Sequence, residues 1–156
     1  MTLLDWAALS LCLIAACAIL LGLDWHWIIG FMAAMYLGSF WLVQASWTIP
    51  LAAVKLVTGW MACALLALAH NNKEEELTTT TSWPQGRLFR MATIGLILIV
   101  SYISAISLSH WLNMGIPTAW GGILLIGSGL MLTGITSQPF RLIIGLLTSL
   151  SGFEII

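Results

Sequence analysis

Six runs of apolar residues, most of them about twenty positions long, set the limits on what this chain can fold into. They span about 3–23, 27–47, 50–69, 88–108, 117–136 and 140–156. A hydrocarbon core about 30 Å thick is crossed by ~20 residues of helix at ~1.5 Å per residue, and five of the runs reach that length. The sixth, from Phe140 to Ile156, holds 17 positions, or roughly 26 Å of helix. Either the chain ends part-way across the bilayer or it is a piece of a longer one, and the shortfall favours the piece. In lipid every backbone N–H and C=O must find its partner inside the protein, so long runs without two-residue alternation can only be helices. The expected fold is all-α: a polytopic transmembrane bundle of about six helices.

Composition excludes the alternatives. Only 7% of the 156 residues are charged while 60% are hydrophobic, too few charges to cover a water-facing surface, so the outer surface must meet a lipid bilayer. The net charge of −1 and the lack of any basic tract exclude nucleic acid as a partner. Cys12, Cys17 and Cys63 lie singly in apolar runs, outside any Cys-x-x-Cys pair or histidine cluster. They are expected to pack rather than to form disulfides or bind zinc. Ile14-Ala15-Ala16-Cys17 imitates a lipoprotein cleavage box, but Asp5 stands where the basic leader belongs, so the first run reads as a retained helix. Without paired helix histidines for haem or a cysteine set for iron–sulfur, no catalytic, metal-binding or cofactor-binding residues are expected.

Boundaries follow from proline and tryptophan. Pro50, Pro117 and Pro139 stand at or beside the first turn of their runs, where a missing N–H costs least. Trp25, Trp27, Trp41, Trp47, Trp83, Trp111 and Trp120 fall near run ends, the level at which an indole prefers to rest. His26, His70 and His110 border loops or run ends and read as interfacial. The polar stretch 71–87, with its threonine run, Pro84 and Gly86, reads as a linker between a three-helix half, 1–70, and a second half, 88–156, with two full helices and a final shorter one. If that linker is cytoplasmic, Lys73, Arg87, Arg90 and Arg141 all lie inside and only Lys55 outside, which places the N-terminus outside.

Two ionisable residues fall within apolar runs. Lys55 follows Pro50 by five positions and Glu154 follows Arg141 by thirteen. An ionised side chain at the centre of a helix in lipid costs at least ~2.5–3.5 kcal/mol, so such residues normally face protein or water and often sit on ion or proton routes. Lys55, only ~8 Å inside by helical rise, can also snorkel to the outer interface. Alternation of the helices brings both residues into the outer half, where they can meet. A pair would keep both charged, whereas separate burial would drive both to neutrality and make Glu154 a proton carrier. On a helical wheel Glu154 shares a stripe with Leu147, Leu150 and Ser151, while Gly145, Ser149 and Gly152 form a small-residue stripe on the other side. Gly122, Gly127, Gly129 and Gly134 lighten the fifth run in the same way, which predicts close packing of the last two helices.

The stretch from Gly122 to Glu154 resembles the helix pair of the K-type subunit of bacterial respiratory complex I. With Ser137-Gln138 followed by Arg141 and then Ile143-Ile144-Gly145, it resembles more closely the related E-type membrane subunit of hydrogenase-4-type complexes, where Ser-Gln followed by a basic residue and Ile-x-Gly also occurs. Ala53-Val54-Lys55-Leu56-Val57-Thr58-Gly59 is similar to the lysine-bearing helix of the same subunit, so the resemblance runs from about Trp41 to Ile156 with the polar loop divergent. The complex I subunit places its intramembrane glutamate where this chain has Leu147, and the hydrogenase-type subunit near the place of Leu150. Glu154 lies one turn beyond, on the same face, so the acid has either moved along its stripe or been lost from the route. The resemblance implies a non-redox subunit of a bacterial inner-membrane assembly, beside antiporter-like integral membrane subunits, that helps couple electron transfer to proton or cation translocation. Lys55 and Glu154 are then the candidate path residues. The alternatives are a small carrier or channel, hinted at by Pro50 to Lys55 and Pro139 to Arg141 as short internal repeats, and a pigment-associated or assembly protein using tryptophan and loop-side histidine for contacts.

Overall fold

A computed structural model describes residues 3–21, 25–44, 49–71, 84–135 and 138–156. They form six helices: α1 Leu3–Leu21, α2 Trp25–Gln44, α3 Ile49–Asn71, α4 Pro84–Leu112, α5 Ile116–Ile135 and α6 Pro139–Ile155. There is no strand among the described residues. The chain is an all-α bundle, and five of its helices, α1 to α5, are long and apolar enough to cross a membrane.

Proline marks the start of four helices. Pro50 and Pro117 are second in α3 and α5, and Pro139 opens α6 after an extended Gln138 at φ −78° and ψ 125°. Pro84 opens α4, which is longer at both ends than the apolar run within it. The linker is correspondingly shorter than the sequence predicts, since α3 continues to Asn71 and α4 takes up Pro84 to Arg87; the rest of it lies outside the described residues. A hydropathy run ends at the first polar residues, but a helix continues for as long as its backbone can pair. Here α4 passes through Ser109, whose hydroxyl donates back to the Ile106 carbonyl, and stops only at Asn113, held in the left-handed region at φ 56°. Asparagine tolerates that conformation better than most residues and ends helices there.

The helices are layered around a four-helix core. α1 packs on α2, α4 and α5; α2 on α3, α5 and α6; and α5 on α4 and α6. The N-terminal and C-terminal halves therefore share one interior, filled by Cys12, Met32, Met35, Leu42, Leu124, Leu125 and Ile144, all at most 2% exposed. α3 and α4 flank that core: 22% and 17% of their spans are buried, against 44% for α1, α2 and α5. Their outward faces carry Val54, Val57, Met61, Leu65 and Leu68 on α3 and Leu96, Ile99, Val100 and Ile103 on α4. A surface of that kind is stable only against acyl chains or another apolar protein.

Polar side chains inside such a bundle cannot turn to water. Ser39, Ser101 and Ser128 donate to the carbonyl three residues back, and Thr93, Thr148 and Ser149 to the carbonyl four residues back. This local pairing keeps hydroxyls satisfied where no solvent can reach them. The Trp120 indole N–H donates to Ser101 Oγ at 3.2 Å while its ring meets Tyr102 edge-on, so this tryptophan ties α5 to α4 in addition to lying near a helix end. Cys12 and Cys63 are buried free thiols and Cys17 is half-buried. The Cys12 sulfur fills the space that a side chain at Gly38 would need, so α1 and α2 touch there through thiol and bare backbone.

α5 and α6 are antiparallel and meet along bare backbone. A Cβ added at Gly129 would stand 2.5 Å from the Gly145 carbonyl and the Ser149 nitrogen, and one at Gly152 would stand 2.6 Å from the Gly122 carbonyl. The contact ladder on α5 is Gly122, Ile126, Gly129 and Thr133, at the alternating four- and three-residue spacing of a single helix face. Lipid tails give no hydrophobic drive for two helices to associate, so close van der Waals contact between small residues holds this pair together.

Candidate intramembrane ion-pair site

Lys55 lies six residues into α3 and Glu154 in the last turn of α6. The start of α3 and the end of α6 lie at one face of the bundle, so both side chains belong to the same half of the membrane. The Lys55 ammonium forms an ion pair with the Glu154 carboxylate and also donates to the Ser151 carbonyl at 3.4 Å. That carbonyl is near the C-terminal end of α6, where the helix dipole presents its negative end. The lysine thus meets a full negative charge and a partial one on the same helix.

The two partners differ in enclosure. The Lys55 side chain is 13% exposed and is turned into the protein, whereas Glu154 keeps 42% of its side chain exposed. The expectation that both face protein holds for Glu154 only on the lysine side. Its other side is open; the helices that pack most extensively on α6 are α5 and α2. α3 reaches α6 chiefly through the long lysine side chain, with α2 packed against both.

α2 supplies the floor. The Tyr36 ring occupies the space that a side chain at Gly59 of α3 would need, and its hydroxyl is within hydrogen-bonding reach of the Ser151 side chain. Ser151 itself is buried, at 2% exposure. Cys12 of α1 is close behind, its thiol pointing at the Met35 carbonyl at 3.9 Å. The site therefore gathers groups from four helices: Cys12, Tyr36, Lys55 with Gly59, and Ser151 with Glu154. Sequence reasoning misses Tyr36. Its signal is a phenol in the middle of an apolar helix, a position that normally finds a hydrogen-bond partner when buried.

The remaining candidate residues sit elsewhere. Gly145, Ser149 and Gly152 line the α5–α6 seam, on the side of α6 away from the lysine. His26 and His110 are exposed near helix ends. Among the described residues no three His, Cys, Asp or Glu side chains cluster as metal ligands would. Chemically, the site holds two opposite charges, with the ammonium enclosed and one side of the carboxylate open.

No family model, curated protein or solved structure matches the chain. The fold and the site together define a multi-pass helical membrane protein, in contact with lipid, that carries a lysine–glutamate pair between two of its helices.

Proposed function

We propose that this chain is a non-redox subunit of the membrane arm of a complex I-like or hydrogenase-like assembly, in which Lys55 and Glu154 help couple electron transfer elsewhere to proton or cation movement. The observation that carries the proposal is the ion pair itself. A lysine and a glutamate brought together from helices distant in sequence are costly in lipid and serve no hydrophobic packing need. The resemblance of the α5–α6 stretch and of the Lys55 helix to such subunits supports the same reading.

In this reading a proton delivered to the open side of Glu154 neutralises the carboxylate and dissolves the pair. Lys55 is then left with the Ser151 carbonyl and the negative end of α6. Release of the proton to a further acceptor restores the pair. The apolar outer faces of α3 and α4 are where antiporter-like neighbours would pack. The setting is the bacterial inner membrane, with the N-terminus outside and the 71–87 loop cytoplasmic, because that orientation gathers Lys73, Arg87, Arg90 and Arg141 on one side.

The test is Glu154→Gln in the assembled complex. Ion movement should fall severalfold or more while assembly, judged by co-purification of large membrane subunits, is retained. Normal pumping in a correctly assembled variant would reduce the pair to a staple between α3 and α6. Recovery of the chain as a lone monomer that transports by itself would instead establish the carrier alternative.

A further inference from the structure

The two helices that carry the ion pair are held in place by a third. α3 packs on α2, and α6 packs on α2 and α5, while α3 meets α6 chiefly through the Lys55 side chain. How far the ammonium stands from the carboxylate therefore depends on how each helix sits on α2. Tyr36, near the middle of α2, touches both. Its ring lies where a side chain at Gly59 of α3 would stand, 2.5 Å from the place of that Cβ, and its hydroxyl is within hydrogen-bonding reach of the Ser151 side chain of α6. Gly59 follows Lys55 by one helical turn and Ser151 comes three residues before Glu154, so each contact falls on the face that carries the charge.

Ser151 differs from the other buried serines. Ser39, Ser101, Ser109 and Ser128 donate to the carbonyl three residues back, and Ser149 to the one four residues back. Ser151, 2% exposed, makes no such bond and has Tyr36 as its partner instead. A hydroxyl of the kind that elsewhere satisfies itself on its own helix here spans two. The backbone carbonyl of the same residue accepts from Lys55 at 3.4 Å. The last turn of a helix has carbonyls without intrahelical partners and frays most readily, so a side-chain tie counts for more there than in the middle. α5 fixes one side of that turn, where Gly152 lies against the Gly122 carbonyl. The Tyr36 contact fixes the neighbouring residue on the side toward the lysine.

We propose that Tyr36 is the positioning residue of the ion pair: by seating its ring on α3 and its hydroxyl on α6 it keeps Glu154 within reach of the Lys55 ammonium, and so sets how readily the carboxylate exchanges the lysine for a proton. The consequence for proton uptake rests on the reading of Glu154 as a path residue, whereas the positioning itself rests on the geometry. The titratable groups around the pair are Tyr36 of α2, Cys63 of α3 and Cys12 of α1, with Asp5 opening α1 at the same membrane face; α5 carries none. Lys55 is the one lysine or arginine at this face among the described residues, so its reach governs the charge on Glu154. Without the phenolic oxygen the ring would still rest on Gly59, but Ser151 would turn back to its own helix, as the other serines do, and the last turn of α6 would be free to move off the lysine.

The experiment reads the protonation of Glu154 directly. The full chain is purified in mild detergent and treated at neutral pH with dicyclohexylcarbodiimide, which enters apolar surroundings and reacts with protonated carboxyl groups; the initial rate of adduct formation is measured on the Glu154 peptide by mass spectrometry. Lys55→Met should label about tenfold faster than wild type, because an adjacent cation favours the ionised carboxylate by at least that factor. Tyr36→Phe and Ser151→Ala should each label several times faster than wild type, and the two combined no faster than either alone, since both remove the same contact. A tyrosine that only fills space would leave Tyr36→Phe labelling at the wild-type rate, because phenylalanine keeps the ring, and that result would overturn the proposal. Additive effects of Tyr36→Phe and Ser151→Ala would overturn it too, as would equal labelling of wild type and Lys55→Met, which would leave no pair to position. Should Tyr36→Phe lack a cooperative melt, Ser151→Ala decides alone: a severalfold rise supports the proposal and the wild-type rate overturns it. Ion movement does not enter this assay, so normal pumping by Glu154→Gln alongside the expected labelling would end the coupling reading and leave the positioning role standing.

Discussion

Replacing Gly129 by alanine tests the α5–α6 seam most sharply. The new methyl would begin 2.5 Å from the Gly145 carbonyl oxygen, the Ser149 nitrogen and the Ser149 hydroxyl. Ordinary van der Waals contact begins at 3.4 Å, so the shortfall is 0.9 Å, and two of the three atoms are α6 backbone, which cannot turn aside. Relief requires α6 to move away by nearly that amount. A radial gap of ~0.5–1 Å forfeits a quarter to a half of the attraction between facing atoms, and overpacking of this kind costs ~1–3 kcal/mol. Gly152→Ala should cost nearly as much, because it meets the Gly122 carbonyl and the Ile126 nitrogen at 2.6 and 2.7 Å. Gly122→Ala should cost less, since its nearest neighbour is the movable Ile156 side chain. Gly95→Ala on α4, with nothing within 4 Å, should be neutral or stabilising by up to ~1 kcal/mol, since alanine is the better helix former and meets no neighbour. The assay is reversible unfolding in mixed micelles titrated with denaturing detergent, followed by tryptophan fluorescence. A Gly129→Ala protein as stable as Gly95→Ala would refute the close backbone seam.

Two further outcomes follow from the same geometry. In a double-mutant cycle of Lys55→Met and Glu154→Gln, the glutamine change should be the more damaging, up to ~3–5 kcal/mol, because it strands an enclosed ammonium, and the double variant should recover much of the loss with a coupling of ~1–3 kcal/mol; strictly additive effects in the unfolding assay would show that the pair contributes nothing. A cysteine at Thr80 in an otherwise cysteine-free protein should react with a membrane-impermeant maleimide in inside-out vesicles and be silent in intact cells, and the reverse pattern would invert the proposed topology.

The sequence carried much of the site but not its enclosure. Lys55 and Glu154 are visible as the two charges stranded in apolar runs, and helix alternation places them in one half of the bilayer. Their direct pairing needs a lateral arrangement that no period in the sequence encodes: α2 has to lie against both α3 and α6 so that one lysine side chain can bridge the remaining distance. Tyr36 and the Ser151 carbonyl enter only through that arrangement. The approach of Arg90 and Arg141, which line one small pocket with Leu20, Thr93, Leu132 and Ile135, is equally hidden, because the sequence presents the two arginines only as members of a charge count.

What the sequence by itself determined was the solvent, and from the solvent the secondary structure. Apolar runs of this length with this few charges require lipid, lipid requires internally paired backbone, and Pro50, Pro117 and Pro139 marked where three of the six helices begin. Which faces meet was decided by tertiary packing alone. Gly122 and Gly129 lie seven residues apart on one side of α5, and Gly127 and Gly134 lie seven apart on another. To a helical wheel the two stripes are equivalent. In the bundle the first is pressed against α6 backbone, while Gly127 has only an Ile97 methyl at 3.5 Å and Gly134 has nothing within 4 Å. A glycine records that close approach is permitted; the partner that makes the approach is set by how all six helices share one interior.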